Sequence, residues 1–294
     1  MGKNSVFITG HTGFVGINLL KYFDNIFKIN KYIRNDNINI NSDVVINLVG
    51  KAHDLKNTLN TNEYYEVNTN FSNKLFDLFI NSNASIFITL SSIKAVSDYS
   101  DDILTEEIFS CPITHYGKSK LLAEQYILSK EIPHNKRVFI LRPSMIHGPG
   151  NKGNLNLLFN IIKMRIPWPL GAFDNKRSFL SIENLCFIIK ELIENEDIKS
   201  GIYNVCDDEP LSTNEVINII SNTLNINTVI LKIPKILILF LCKIGDFLKL
   251  PLNSERLFKL TNNFIVSNTK IKNAINKPLP ISSRNGLINT FNSF

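Results

Sequence analysis

The chain has 294 residues, 44% of them hydrophobic and 20% charged. That is the profile of a folded protein able to build one large domain or two unequal ones, and it excludes a disordered or fibrous chain. The formal charge of +6 suits an anionic ligand or surface, but no Lys/Arg block marks a nucleic-acid arm, so no nucleic-acid partner is expected.

The four cysteines and five histidines are scattered and form no CxxC. No metal site is expected, and a reduced, cytoplasmic setting is the simpler reading. The opening "MGKNSVFITGHTG" reaches a glycine turn too early for a signal peptide. Residues 6–9 are a β-branched run that stops at Gly10, after which apolar positions recur at helical spacing through Leu19, Leu20 and Phe23. That pattern predicts strand, tight turn, helix. In "GHTGFVG", Gly10 permits the turn, Gly13 lets the backbone approach a pyrophosphate, and Gly16 allows the helix to pack closely on the strand. The exposed amides of the helix terminus favour the anion. Thr12, Phe14 and Val15, within the same turn, are expected at the dinucleotide.

A second strand is predicted in "IFKINKYI". Arg34 is the first polar residue past its apolar end, with Asp36 two positions on. A site for NAD usually carries an acid there for the ribose hydroxyl, whereas an arginine fork suits a 2′-phosphate. NADP is therefore preferred to NAD; the other reading of Arg34 is a solvated turn residue.

"DVVINLVG" (43–50) and "SIFITLSS" (85–92) are apolar runs of the kind found in parallel sheets covered on both faces. Leu48, Val49 and Gly50, at the end of the first, are expected beside the cofactor. Residues 62–82 between them read as a returning helix. "CPITHYGKSK" opens a helix near His115 that leads to the strand "RVFILRP", whose Pro143 is also expected to border the cofactor. This alternation predicts an α/β fold, a doubly wound parallel sheet, over residues 1–150.

Beyond residue 150 the pattern loosens. "RSFLSIENLCFIIKELIEN" reads as a short strand and a helix, and "GIYNVC" as a strand. "STNEVINIISNTL" reads as a helix capped by Ser212 or Thr213, with Glu215 placed to complete a capping box from Ser212. Residues 151–176 and 209–294 are assigned mainly to a smaller C-terminal substrate-binding lobe, with segments around 177–208 returning to the first domain. "ILILFLC" (236–242), between Lys235 and Lys243, falls short of spanning length, and no integral membrane segment is expected. It is read as a core helix, the alternative being an interfacial helix that brings 233–249 to a lipid surface.

Together with "LSSIKAV", "YGKSK" and "RPSMIHGPGNKGN", the glycine turn makes the chain resemble the extended short-chain dehydrogenase/reductase family over nearly its whole length. It is most similar to that family's sugar-nucleotide 4-epimerases and 4-keto reductases of bacterial surface-polysaccharide synthesis. The resemblance implies a Rossmann-like fold, a nicotinamide dinucleotide, a UDP-sugar substrate and a homodimer formed through the helix that carries Tyr116. It places the catalytic residues on Ser92, Tyr116 and Lys120, with Ser92 also at the substrate and the other two also at the cofactor. It further implies that Arg177 and Arg256 hold the substrate diphosphate and Asn154 the nucleotide. Two departures stand out: Met145 replaces an asparagine of UDP-glucose epimerases, and "AINKPLP" replaces the family's Gly-Trp near the C-terminus.

The chemistry can be argued from the residues themselves. Positions 116 and 120 share a helix face, so an ammonium can sit near a phenol and draw its pKa down from about 10. The phenol then exchanges a proton with a carbonyl or alcohol while Ser92 bonds the same oxygen. The plain alternatives are a strand-end hydroxyl capping the next turn for Ser92, a packed ring for Tyr116 and a solvated arginine for Arg177. For Asn154 the alternative is a cap on a helix beginning at Leu155. His115 and His53 border the pocket or act as turn donors. Reduction of the 4-keto group of a UDP-linked deoxy-N-acetylhexosamine is the preferred activity and 4-epimerisation with bound NAD the alternative; a non-catalytic dinucleotide sensor ranks third. Dehydration is disfavoured because Ile93 and Lys94 stand where a further acid and base are wanted.

Overall fold

The computed structural model describes residues 4–34, 36–52, 61–100, 102–151, 153–248 and 253–294. The chain begins with β1 (Ser5–Thr9), α1 (Phe14–Tyr22), β2 (Lys28–Lys31) and β3 (Val44–Asn47). It continues through α2 (Thr61–Tyr64), a π-helical stretch (Tyr65–Asn70), α3 (Phe71–Ile80), β4 (Ile86–Leu90), a 3₁₀ turn (Ile93–Ala95), α4 (His115–Leu128) and β5 (Arg137–Pro143). β6 (Met145–His147), α5 (Asn154–Lys163), β7 (Phe179–Ser181), α6 (Ile182–Glu194) and β8 (Gly201–Val205) follow, and then α7 (Thr213–Thr223), α8 (Lys235–Leu248), α9 (Ser254–Thr261), α10 (Thr269–Ile275) and α11 (Ser283–Asn292).

The main sheet has six parallel strands in the order β2-β1-β3-β4-β5-β8. Strands β3 and β4 are buried along their whole length because helices cover both faces, which is why their sequences are apolar without alternation. On one face Leu19 of α1, Leu185, Ile188 and Ile189 of α6 and Ile271 of α10 close over Val6, Ile8, Ile46 and Ile88. On the other, Leu75, Phe76 and Phe79 of α3 and Ile127 of α4 close over Phe7, Val45 and Phe87. The fold is a Rossmann-like α/β sheet. From β1 the chain runs outward to β2 and then crosses to β3 on β1's other side. That reversal opens a crevice at the carboxyl ends of β1 and β3.

The C-terminal helices form a smaller lobe with a core of its own. Leu158 and Ile162 of α5, Val216 and Ile220 of α7, Ile238 of α8 and Phe291 of α11 meet there with Trp168. The predicted capping box is present: the Ser212 hydroxyl accepts from the Glu215 N–H, and the Glu215 carboxylate accepts from the Ser212 N–H. The short strand expected ahead of α6 is β7; its parallel partner β6 was not anticipated, because three residues are too few to show a period.

The reading of 236–242 as a core helix is corrected. α8 buries only Ile238, Cys242 and Gly245, while Ile236, Phe240 and Phe247 are 82%, 61% and 87% exposed. Residues 236–242 are apolar without a break, but the lobe offers the helix only a narrow seat. Among the described residues no helix is long and apolar enough to cross a membrane.

Candidate active site

The glycine turn lies at the crevice. Gly10 has φ +73°, and a Cβ there would come within 2.7 Å of the Leu48 carbonyl carbon, so only glycine fits. A Cβ on Gly16 would lie 2.4 Å from the Gly10 oxygen, and that contact seats α1 on β1. Gly13 differs: a Cβ would meet only the Gly10 oxygen, at 3.4 Å. It is the N-cap of α1 with no side-chain cap and no acid in the first turn, which leaves the helix amides open to an anion. This cradle fits a dinucleotide pyrophosphate. Thr12 and Gly13 are exposed there and Phe14 and Val15 half-buried. Across the crevice, the Leu48 N–H donates to the Thr9 carbonyl at 3.2 Å. The Val49 N–H donates to Asn47 Oδ1, which also accepts from the Thr9 hydroxyl. Arg34 is exposed beyond the end of β2, with Asp36 also exposed.

Ser92, Tyr116 and Lys120 gather where β4 ends. Lys120 is 5% exposed; its Nζ donates to the Leu90 carbonyl at 2.8 Å, and a Cβ on Gly50 would lie 2.9 Å from it. Ser92 is 7% exposed, accepts from the Lys94 N–H at 3.2 Å, and stands near enough to the Tyr116 phenol to favour its ionisation. The capping role weighed for Ser92 is therefore present, and it leaves the hydroxyl beside Tyr116. Tyr116 also packs edge-on against Tyr64, with centroids 6.4 Å apart. Pro143 is buried at the end of β5, the strand next to β4.

The expected drawing-down of the phenol is corrected. Burial pushes the Tyr116 pKa above its usual value; the Ser92 hydroxyl opposes this and Tyr64 adds to it. Lys120 itself is pushed down to about 8 by burial, against the pull of Glu124. Burial is the largest influence on both groups, and it disfavours the charged form of each.

Several residues that hold this arrangement were not foreseen. Asp98 accepts from the Ile113 and Thr114 N–H groups and from the Thr114 hydroxyl, and Thr114 in turn caps α4 by accepting from the Gly117 N–H. Gly117 brings α4 so close to the 3₁₀ turn that a Cβ would lie 2.3 Å from the Lys94 oxygen. Beneath the site, Glu124 of α4 pairs with Arg142 of β5 at 2.6 Å, both buried, and Glu124 also accepts from the Ser91 hydroxyl. Asn68, in the π-helical stretch, donates to Ser119 and to the Lys51 carbonyl and accepts from the Lys51 N–H. That ties the loop after Gly50 to α4, in keeping with the placement of π-helical turns near functional sites. Asn68 and Glu124 gave no signal beyond being polar within predicted helices. His115 bonds Tyr65 at 3.0 Å; His53 lies outside the described residues.

The proposed diphosphate residues sit on the smaller lobe's side. The Arg177 guanidinium donates to the Lys259 and Asn262 carbonyls at 2.8 and 3.4 Å, and burial lowers its pKa. Arg256 is on α9 and exposed; α9 also contains Lys259, so the two arginines are linked through one short helix. Lys94 Nζ lies 4.4 Å from the centre of the Phe264 ring and the Arg177 guanidinium 5.8 Å from the same centre. The Lys94 pKa falls to about 8, through burial first and then the neighbouring Arg177 and Lys259, against Asp98. Such a concentration of cations suits an anion. The capping alternative for Asn154 fails: α5 begins at Asn154 itself, with Gly153 as N-cap, and Asn154 is exposed. Among the described residues no group of three or more His, Cys, Asp or Glu could hold a metal.

The family profile described as 3-beta hydroxysteroid dehydrogenase/isomerase matches residues 27–234. The chain belongs to the extended short-chain dehydrogenase/reductase family. It is an NAD(P)-dependent enzyme of that family. This member is 31% identical over 259 residues to a UDP-glucose 4-epimerase of Vibrio cholerae, covering 78% of this chain and 79% of that one. Its fold is similar to that of RMD from Pseudomonas aeruginosa complexed with NADPH, at TM-score 0.74 and 19% identity, over 99% of this chain and 98% of that chain. It is also similar to that of a UDP-glucuronic acid 4-epimerase from Bacillus cereus in complex with NAD, at TM-score 0.73 and 15% identity, over 98% of each chain.

Proposed function

We propose that the enzyme is a 4-epimerase of a UDP-linked sugar working with bound NAD. The observation that carries this reading is the likeness to the Vibrio 4-epimerase across most of both chains, and the gathering of Ser92, Tyr116 and Lys120 at the end of β4 supports it. It displaces the 4-keto reduction that the sequence favoured. NAD, when bound, supplies reversible hydride acceptance at C4 of the sugar.

Tyr116 takes the proton of the C4 hydroxyl and returns it after the keto sugar has turned over. Ser92 bonds the same oxygen and eases the ionisation of the phenol that burial opposes. Lys120 holds its charge at the carboxyl end of β4, where the Gly50 backbone leaves it room. Gly10, Gly13 and Gly16 with Thr12, Phe14 and Val15 hold the pyrophosphate side of the dinucleotide, and Leu48, Val49, Gly50 and Pro143 border it. Arg177 and Arg256 hold the substrate diphosphate, with Asn154 at the nucleotide. On this reading residues 1–150 and the segments near 177–208 serve the dinucleotide, and 151–176 and 209–294 mainly the sugar nucleotide, with α10 packed back on the sheet.

Denaturing the purified protein and identifying what it releases tests the reading. The expected result is NAD, together with interconversion of UDP-hexose 4-epimers without added cofactor or net change in nicotinamide absorbance. An empty protein that consumes added NADPH in step with turnover would establish the reductase instead.

The reductase reading rests on Arg34, exposed past the end of β2, where it could fork onto a 2′-phosphate. If it does so, Arg34→Asp weakens NADPH by about tenfold or more while leaving NADH nearly unchanged, through loss of a charge-assisted pair and gain of a like charge. Equal shifts in both dissociation constants, measured by titration, make Arg34 a surface residue.

A further inference from the structure

Helix α8 turns a broad apolar face to solvent. At about 100° per residue, Ile236, Phe247, Phe240, Ile244, Leu237 and Leu248 fill an unbroken arc of about 120°, opposite the buried Ile238, Cys242 and Gly245. All six are exposed. Single exposed hydrophobics need no explanation, but a contiguous arc of this size marks an interaction surface.

The charges around the arc indicate what it meets. Exposed Lys243 borders the arc, exposed Lys232 precedes the helix, and exposed Lys235 lies farther round it with its Nζ 5.6 Å from the centre of the Phe173 ring. The one acid of α8, Asp246, lies between Lys235 and Lys243 round the helix, and its carboxylate already accepts from the Ser254 N–H at 2.9 Å and from the Ser254 hydroxyl. A second copy docked on this face would bring further lysines and no uncommitted acid of α8 to meet them. A lipid surface with anionic headgroups offers the complement: acyl chains beneath the arc, and phosphates within reach of ammonium groups on flexible stems. At 14 residues, or about 21 Å, α8 is too short to span a bilayer and suited to lie in its surface.

We propose that α8 is an interfacial helix through which the enzyme docks on an anionic phospholipid bilayer. The docked face is then one helix away from α9, which carries Arg256 and packs against α8. The proposal holds whichever reaction the enzyme performs.

Sedimentation of the full-length protein with phosphatidylcholine vesicles, with and without phosphatidylglycerol, tests it. Binding is expected with phosphatidylglycerol, weaker by about tenfold or more without it, and reduced by salt. The double substitution Phe240→Ser with Phe247→Ser removes apolar area from exposed positions only. It should weaken vesicle binding by about tenfold or more and leave the melting temperature and the turnover in solution unchanged. Lys235→Glu with Lys243→Glu should abolish the preference for phosphatidylglycerol. A wild-type protein that stays in the supernatant overturns the proposal, as does equal binding by the phenylalanine variant. A wild-type oligomer that this variant splits, with no vesicle binding, also overturns it and assigns the face to a second copy.

Discussion

At the scale of single residues, the candidate site depends on groups whose charges are costly where they sit. Tyr116→Phe keeps the ring against Tyr64 and removes only the hydroxyl. Turnover should fall by about 10²-fold or more, while titration shows dinucleotide affinity changed by no more than about threefold. Retention of a tenth of the wild-type rate would give proton transfer to another group. Lys120 makes a second prediction. Its folded pKa of about 8 lies below the ordinary value, so the ammonium is lost as pH rises through 8, and kcat should fall on that alkaline limb. Stability should move the other way: between pH 8 and about 10.5 the unfolded chain binds the proton that the native lysine has given up, which favours the native state as pH rises. Lys94, also lowered to about 8, adds to this trend. Opposite slopes of kcat and urea-unfolding stability across that window would confirm the assignment; parallel slopes would contradict it.

At the scale of elements, α4 is fixed to the sheet by a buried ion pair. Glu124→Ala strands the Arg142 guanidinium, which is 4% exposed, and should cost about 3–5 kcal/mol in denaturant unfolding. Adding Arg142→Leu should recover part of that loss. A Glu124→Ala cost below about 1 kcal/mol would show that water or another group takes over the arginine. This pair also marks the limit of what sequence could disclose. The glycine turn was legible because Gly10 and Gly16 answer local demands of backbone angle and close approach, and the Ser212–Glu215 box because its partners are three residues apart. Ser92, Tyr116 and Lys120 were legible as motifs, but the direction of the phenol's shift was not, since burial is a property of the assembled core. Glu124 meeting Arg142 and Asp98 meeting Thr114 are tertiary events that no period announces. The misreading of α8 has the same origin: hydropathy records which residues avoid water, not whether the fold supplies a cover.

At the scale of the molecule, Arg177 joins the end of the sheet domain to α9 of the C-terminal lobe through the Lys259 and Asn262 carbonyls. If Arg177 holds the diphosphate, Arg177→Ala should weaken UDP by about tenfold to a hundredfold, the range for losing a hydrogen bond to a charged group. Dinucleotide binding at the glycine turn should hardly change. Calorimetric titration with each ligand separates the two, and normal UDP affinity would leave Arg256 as the better candidate. The aromatic ring of Phe264 gives this geometry a wider meaning. Lys94, two residues past Ser92, and Arg177 both lie against it, so on the proposed roles the diphosphate grip and the catalytic turn share one buried neighbour. Part of the energy gained by gripping a distant, unreacting phosphate can then go into aligning the Ser92 hydroxyl. A truncated sugar lacking its diphosphate should for that reason react slowly even at saturation, rather than merely bind poorly.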